Sequence, residues 1–235
     1  MFPWPIDVAF PRVVLLEVIF PHFWGGRVMI LPLGLRELGP RRVATRKRLH
    51  QGQVDDIRGD LIKPAGGADQ ILAPDYLAVE LKTTSITLGI VLDGDTNPHG
   101  KYESIRNLCI GTFPELPTKM PTEGLIAENE DEKRFGLWIM PDNTSEGTLE
   151  TFLRFLIPEN SPPLWELATG TVTAARTLGA SCRECHINKA NLYTWLAWQD
   201  PPGQSGGRAL PQKILDPRSR NSAVFVKWFR DLYQL

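Results

Sequence analysis

The sequence predicts an α/β fold, and three observations carry that expectation. Two short apolar runs, Leu88-Gly-Ile-Val-Leu92 and Phe135-Gly-Leu-Trp-Ile-Met140, are each cut off by a polar turn, Asp93-Gly94-Asp95 and Pro141-Asp142-Asn143. Such runs read as buried, parallel-type strands whose carboxyl ends open onto a site. Each is followed by apolar residues at helical spacing, and the last third of the chain carries large aromatics at i, i+3, i+4 spacing.

At 235 residues the chain can bury a full core. A net charge of −1 gives no global electrostatic case for a nucleic-acid or membrane partner. Nucleic-acid binding would therefore rest on a local basic face or on a metal bridging to phosphate. The start, Met1-Phe-Pro-Trp-Pro-Ile-Asp7, lacks the basic head and clean apolar core of a secretory signal. No window reaches the roughly eighteen consecutive apolar residues of a spanning helix. With an odd number of cysteines, three, these features predict a cytoplasmic protein without membrane association.

Residues 1–57 form an N-terminal segment whose apolar pieces, Val13–Phe20 and Arg27–Leu33, support one or two strands. Its basic run, Arg41-Arg42 with Arg46-Lys47-Arg48, makes either a phosphate-attracting face or a solvated surface. From residue 58 to 235 the chain reads as one α/β domain with C-terminal helices. Asp60–Lys63 is a short strand, and Pro64–Asp69 a glycine turn in which Asp69 caps a helix start at Gln70–Ala73. Pro74 and Asp75 argue against a long uninterrupted helix there.

After the first apolar run, Lys101–Cys109 is a helix with Tyr102, Ile105, Leu108 and Cys109 facing inward, so Cys109 belongs to the core. A proline-rich loop, Phe113–Thr122, leads to Gly124–Ala127, and the acidic Glu128–Glu132 makes a hairpin-like turn. Leu149–Leu156 is an amphipathic helix ended by Pro158. Two aromatic-rich helices, Ala190–Gln199 and Ala223–Tyr233, flank a glycine-rich break at Pro201–Gly207.

The chemistry is expected at the end of the first apolar run. In extended chain, residues i and i+2 point to one side, so Asp93 and Asp95 can converge on one hard cation while Gly94 keeps the turn uncrowded. Two carboxylates with phosphate oxygens and waters are the usual holders of Mg²⁺. The same letters also make an ordinary Asp-Gly turn after a strand.

Three features together are more specific than the aspartate pair. They are the strand ending in Asp93-Gly94-Asp95, the strand ending in Met140-Pro-Asp-Asn143 followed by Gly147-Thr-Leu-Glu150, and the tail with Lys189-Ala190, Thr194-Trp-Leu-Ala-Trp-Gln199 and Pro202-Gly203. In combination they resemble a bacterial family of uncharacterised proteins. That family is similar to a divergent branch of the topoisomerase–primase (Toprim) fold, akin to the Toprim nuclease of OLD-type proteins. The resemblance runs from about Asp60 to the C-terminus. It implies a Toprim- or Rossmann-like, mostly parallel central sheet flanked by helices, with a helical C-terminal extension. It also implies metal-dependent phosphodiester chemistry on nucleic acid, DNA or RNA, of a nuclease kind, beside a separate ATPase.

By that resemblance Asp93 and Asp95 match the Toprim Asp-x-Asp that holds Mg²⁺ or Mn²⁺. Glu150 stands where OLD-type sites carry an acidic residue near a second metal, and Asp142 is near enough in sequence to join it. Lys189 matches a lysine that stabilises charge developing on phosphate; as a bare sequence feature it is a solvent-facing helix residue. Two-metal hydrolysis needs ions roughly 3.5–4 Å apart, hence several carboxylates to offset their repulsion. One departure stands out: no Val-Glu-Gly motif occurs in residues 1–57, where Glu17 and Glu37 are the nearest glutamates. A catalytically impaired module that binds nucleotide or protein through the same acidic pocket is therefore the alternative.

A rival motif, Cys182-Arg-Glu-Cys185-His186, has the C-x-x-C-H spacing of c-type haem attachment and could also begin a zinc site. Against both stand the lack of a convincing second axial ligand and of a second cysteine pair. Otherwise these residues are two free thiols and a helix-start histidine.

Overall fold

The computed structural model describes residues 29–33, 63–64, 71–83, 87–159 and 161–234. Five strands form one sheet: β1 (Met29–Leu33), β2 (Lys63–Pro64), β3 (Thr87–Asp93), β4 (Leu125–Glu128) and β5 (Arg134–Met140), in the order β2-β1-β3-β5-β4. The two apolar runs are the central pair. β3 and β5 lie parallel, in register from Thr87 opposite Arg134 to Asp93 opposite Met140, so their carboxyl ends share one edge.

The sheet is mixed rather than mostly parallel. β1 runs antiparallel to β3 and to β2, and β4 runs antiparallel to β5. For β4 and β5 the reason is the short link between them, since only an antiparallel partner can be reached through a tight turn. That turn is held by Asn129, whose side-chain oxygen accepts from the Asp131 and Lys133 amides. The parallel β3–β5 pair needs the longer crossover that α2 (Pro98–Cys109) supplies.

Strand alternation divides the core into two layers. Leu88, Ile90 and Leu92 of β3, with Phe135, Leu137 and Ile139 of β5, pack on one face. Against them lie α1 (Pro74–Thr83), through Leu77 and Leu81, and α2, through Tyr102, Ile105 and Cys109. The interruption expected at Pro74 is present: Leu72 and Ala73 form a turn, and helix α1 begins at the proline itself. Proline is well suited to the first helical position, where its missing N–H has no partner to lose. Asn97 caps α2 by accepting from the Gly100 amide at 2.8 Å. Cys109 is fully buried, and burial pushes its thiol up to about 12. Asp69 and most of the expected strand Asp60–Lys63 lie outside the described residues.

On the opposite face, Val91, Trp138 and Met140 meet α3 (Leu149–Arg154), α5 (Ile187–Ala197) and α7 (Arg220–Tyr233). Ala168 of α4 (Pro162–Thr177) joins this layer. A 3₁₀ turn (Glu184–His186) precedes α5, and the short α6 (Gly206–Ala209) lies between α5 and α7. None of the described helices is long and apolar enough to cross a membrane.

Helix α7 sits on the sheet because two glycines make room for it. Gly89 and Gly136 are register partners on adjacent strands. A methyl group at Gly89 would run into the Tyr233 hydroxyl, and one at Gly136 into the Leu232 side chain. Gly136→Ala should therefore lower stability by about 1–3 kcal/mol through overpacking. Urea unfolding of the single variants and of Gly136→Ala/Leu232→Ala reads this directly: the alanine at 136 should be better tolerated once Leu232 is shortened.

Candidate functional site

The shared edge of β3 and β5 gathers charged residues from four segments of the chain. At the end of β3 the backbone turns against the end of β5: the Gly94 amide donates to the Met140 carbonyl at 2.9 Å. A Cβ at Gly94 would come within 2.7 Å of that carbonyl, which explains glycine there. Next, Asp95 and Gly147 exchange two backbone hydrogen bonds, Asp95 N–H to Gly147 oxygen at 2.7 Å and Gly147 N–H to Asp95 oxygen at 2.8 Å. This bridge ties the Asp-Gly-Asp turn to the segment that enters α3.

Asp93 therefore lies against the first turn of α3. Its Oδ1 accepts from the Leu149 amide at 2.7 Å. Burial pushes its carboxyl up to about 7; the Leu149 bond pulls it down, the charges of Glu150 and Asp95 push it further up, and Lys101 draws it back. Desolvation and like charge together outweigh the hydrogen bond and the lysine.

Asp95 has φ of +49°, so the extended geometry ends before it and the i, i+2 argument for a convergent pair does not apply. Its carboxylate is 56% exposed and forms an ion pair with Lys101, which also donates to the Asp93 carbonyl at 2.8 Å. Lys101 was not singled out by sequence. Its signal is its position in the first turn of a helix that begins directly after the aspartates.

Glu150 is only 13% exposed. One of its oxygens accepts from the Thr148 hydroxyl at 2.8 Å, and the other lies 3.8 Å from Lys189 Nζ. The lysine comes from α5, and one turn further on the same helix Tyr193 faces the same carboxylate: burial and the Glu150 charge push its phenol up to about 12. Tyr193 was also missed, since an aromatic in an apolar helix reads as core.

Asp142 is at the same edge but turns into its own loop. Oδ1 accepts from the Thr144 and Ser145 amides and the Thr144 hydroxyl, and Oδ2 from the Ser145 hydroxyl. Burial works to raise its carboxyl, but these four bonds win and hold it below the usual range. Its neighbour Asn143, overlooked in the sequence, is a buried pin: the side chain accepts from the Ile139 amide at 2.8 Å and donates to the Thr122 carbonyl at 3.1 Å. The structure thus brings together Asp93, Asp95, Glu150 and Lys189, and holds Asp142 in its loop. Glu17, Glu37 and the basic run at 41–48 lie outside the described residues.

Among the described residues, no three His, Cys, Asp or Glu side chains are grouped so as to hold a metal ion by themselves. Two acids are nonetheless neighbours at this edge: the charge of Glu150 adds to the burial that pushes the Asp93 carboxyl up. A Mg²⁺-like ion commonly takes one or two carboxylates and completes its shell with water and phosphate oxygens. Cys182 and Cys185 are free thiols in the loop and 3₁₀ turn before α5, where His186 Nε2 lies 3.3 Å from Arg183.

A family model described as "Protein of unknown function (DUF3226)" matches residues 41–234. The chain belongs to this family. No curated protein and no solved structure matches it. Asp93, Asp95, Lys101, Glu150 and Lys189 all fall within the DUF3226 match, as do both central strands.

The raised Asp93 carboxyl has a direct consequence for stability. The folded DUF3226 domain binds this proton more tightly than the unfolded chain does, so the favourable contribution is full below the ordinary aspartate range. It is lost as pH rises from about 4 through about 7. Asp93→Asn retains an acceptor for the Leu149 amide without the charge. At pH 8 it should be more stable than wild type by a few kcal/mol, on the order of 1.4 for each unit by which the carboxyl is raised. The gap should shrink steadily toward pH 4 in urea titrations.

Proposed function

We propose that this carboxylate rim performs metal-dependent phosphodiester chemistry on nucleic acid, of the nuclease kind that the Toprim and OLD-type resemblance implies. The observation that supports it most is Asp93 itself: a buried acid, raised to about 7, with Glu150 and Asp95 adding to its negative surroundings. Perturbed carboxylates of this kind cluster at functional sites, and a bound cation would relieve the charge of this one.

In this reading Asp93 and Glu150 would hold Mg²⁺ or Mn²⁺, with Asp95, already paired with Lys101, adding negative charge nearby. The bound ion supplies activation of water and neutralisation of phosphate charge. Lys189, beside Glu150, offsets the charge that develops on the phosphate oxygens, and Lys101 fixes the Asp-Gly-Asp backbone through the Asp93 carbonyl. Below about pH 7 a proton on the Asp93 carboxyl competes with the cation, so at sub-saturating Mn²⁺ activity should rise as pH passes through that range, and the rise should move to lower pH as Mn²⁺ is increased. The protein would act in the cytoplasm, beside a separate ATPase.

The test is cleavage of plasmid DNA and of RNA by the purified chain. We expect cleavage with Mn²⁺ and none with a chelator. Asp93→Ala and Glu150→Gln should abolish it, and Lys189→Ala should reduce it at least about tenfold while leaving cation binding in place. Cleavage indifferent to Asp93→Ala would remove the reading. Cation binding without any cleavage would instead favour a binding module built on the same acids.

A further inference from the structure

Beside Glu150, between α3, α4 and α5, opens a cleft of about 250 Å³. Its wall is Trp165 with Arg154 laid over it, the guanidinium carbon 5.4 Å from the ring centroid. Trp165 is partly buried and packs on the core beneath, which holds the ring in place. Glu150 and Glu166 line the same cleft, and among the described residues the Arg154 guanidinium forms an ion pair with neither, so its outer face is left to a ligand.

The side that α5 contributes is polar. Asn188 and Asn191, one turn apart, both line the cleft. Asn188 donates its amide to Thr151 at 3.1 Å, which leaves its oxygen as an acceptor. The Asn191 side-chain oxygen is buried and has no hydrogen-bond partner.

We propose that this cleft receives one unstacked base of a single-stranded nucleic acid, beside the carboxylate rim at Glu150. The inference rests on the phosphodiester reading above and narrows it to substrates with a base free of its stack. A planar aromatic surface bearing an arginine is the sequence-tolerant platform used for single strands. The Asn188 oxygen answers an N–H group on a base edge, and Arg154 can meet an adjoining phosphate. The size agrees: the cleft is smaller than the roughly 300–1,000 Å³ pockets that enclose a whole drug-sized ligand. Glu150 belongs to both the cleft and the carboxylate rim, so a base seated here has its own backbone beside the proposed cation.

The experiment measures binding of a fluorescein-labelled single-stranded DNA of mixed sequence to the full chain, by anisotropy at fixed low salt with Ca²⁺ in place of Mg²⁺ or Mn²⁺, so that a cation is present without the expected cleavage. Trp165→Leu keeps an apolar side chain against the core but removes the flat face. It should weaken binding on the order of tenfold, the scale of one base–aromatic stack. The wild-type chain should lose about as much with an oligonucleotide made abasic throughout, an arm that involves no folding risk. Binding of the blunt duplex of the same sequence should not respond to Trp165→Leu. Equal affinity of wild type and Trp165→Leu for the single strand, or of the wild type for the intact and abasic strands, would overturn the cleft. Manganese-dependent cleavage lost in Asp93→Ala would leave the phosphodiester reading standing in that event. Absence of both single-strand binding and cleavage would end the two together.

Discussion

A single hydrogen bond, from the Leu149 amide to the Asp93 carboxylate, joins positions 56 residues apart in the chain. It can form only because β3 and β5 are parallel and in register, so that the end of one lies beside the end of the other. The backbone exchange between Asp95 and Gly147 then fixes how the segment after β5 returns to the turn after β3. Remove that registry and Glu150 has no reason to be near Asp93. Lys189 arrives on the same terms, because α5 packs on the layer that includes α3 through Leu192, Trp195 and Leu196.

The result is a place where the fold works against itself. Asp93 is nearly enclosed, has an amide to bond, and still sits at about 7, because desolvation and two neighbouring acids exceed what Leu149 and Lys101 return. The contrast with Asp142, a few residues past β5, is instructive. Four donors from Thr144 and Ser145 satisfy that carboxylate within its own loop, and it falls below the usual range. One acid is settled as structure, while the other is left unsettled. Residual electrostatic conflict of this kind is where stability is commonly given up for function.

Much of the architecture was legible in the sequence because burial writes itself as periodicity. The apolar runs at 88–92 and 135–140 became the paired central strands, and Tyr102, Ile105 and Cys109 did form the inner face of a helix. The direction of the other strands was not legible. Pairing sense depends on connection length and on edges, and β1 and β4 turned out antiparallel. Pro74 marked a break in the chain's helical path, but not that a ten-residue helix starts at it, since a residue that breaks a helix interior serves well at its start.

Within the site, residue type pointed to Asp93, Asp95, Glu150 and Lys189. It could not distinguish Asp142, because whether a carboxylate faces its own loop is decided by the Thr and Ser that follow it. Lys101, Tyr193 and Asn143 carried no motif at all; their roles come from the elements that happen to face the acids. The Trp165–Arg154 wall was equally hidden, as an aromatic in a helix reads first as core.

The claim beneath this account is that Asp93 is an acid the fold leaves uncompensated and a divalent cation would settle. Carbon-13 NMR of the aspartate side chains, followed through a pH titration with and without Mg²⁺, tests it most directly. The account expects the Asp93 carboxyl to titrate near 7 in the cation-free protein and to move well down when Mg²⁺ is added. A carboxyl that titrates in the ordinary aspartate range and ignores Mg²⁺ would contradict it.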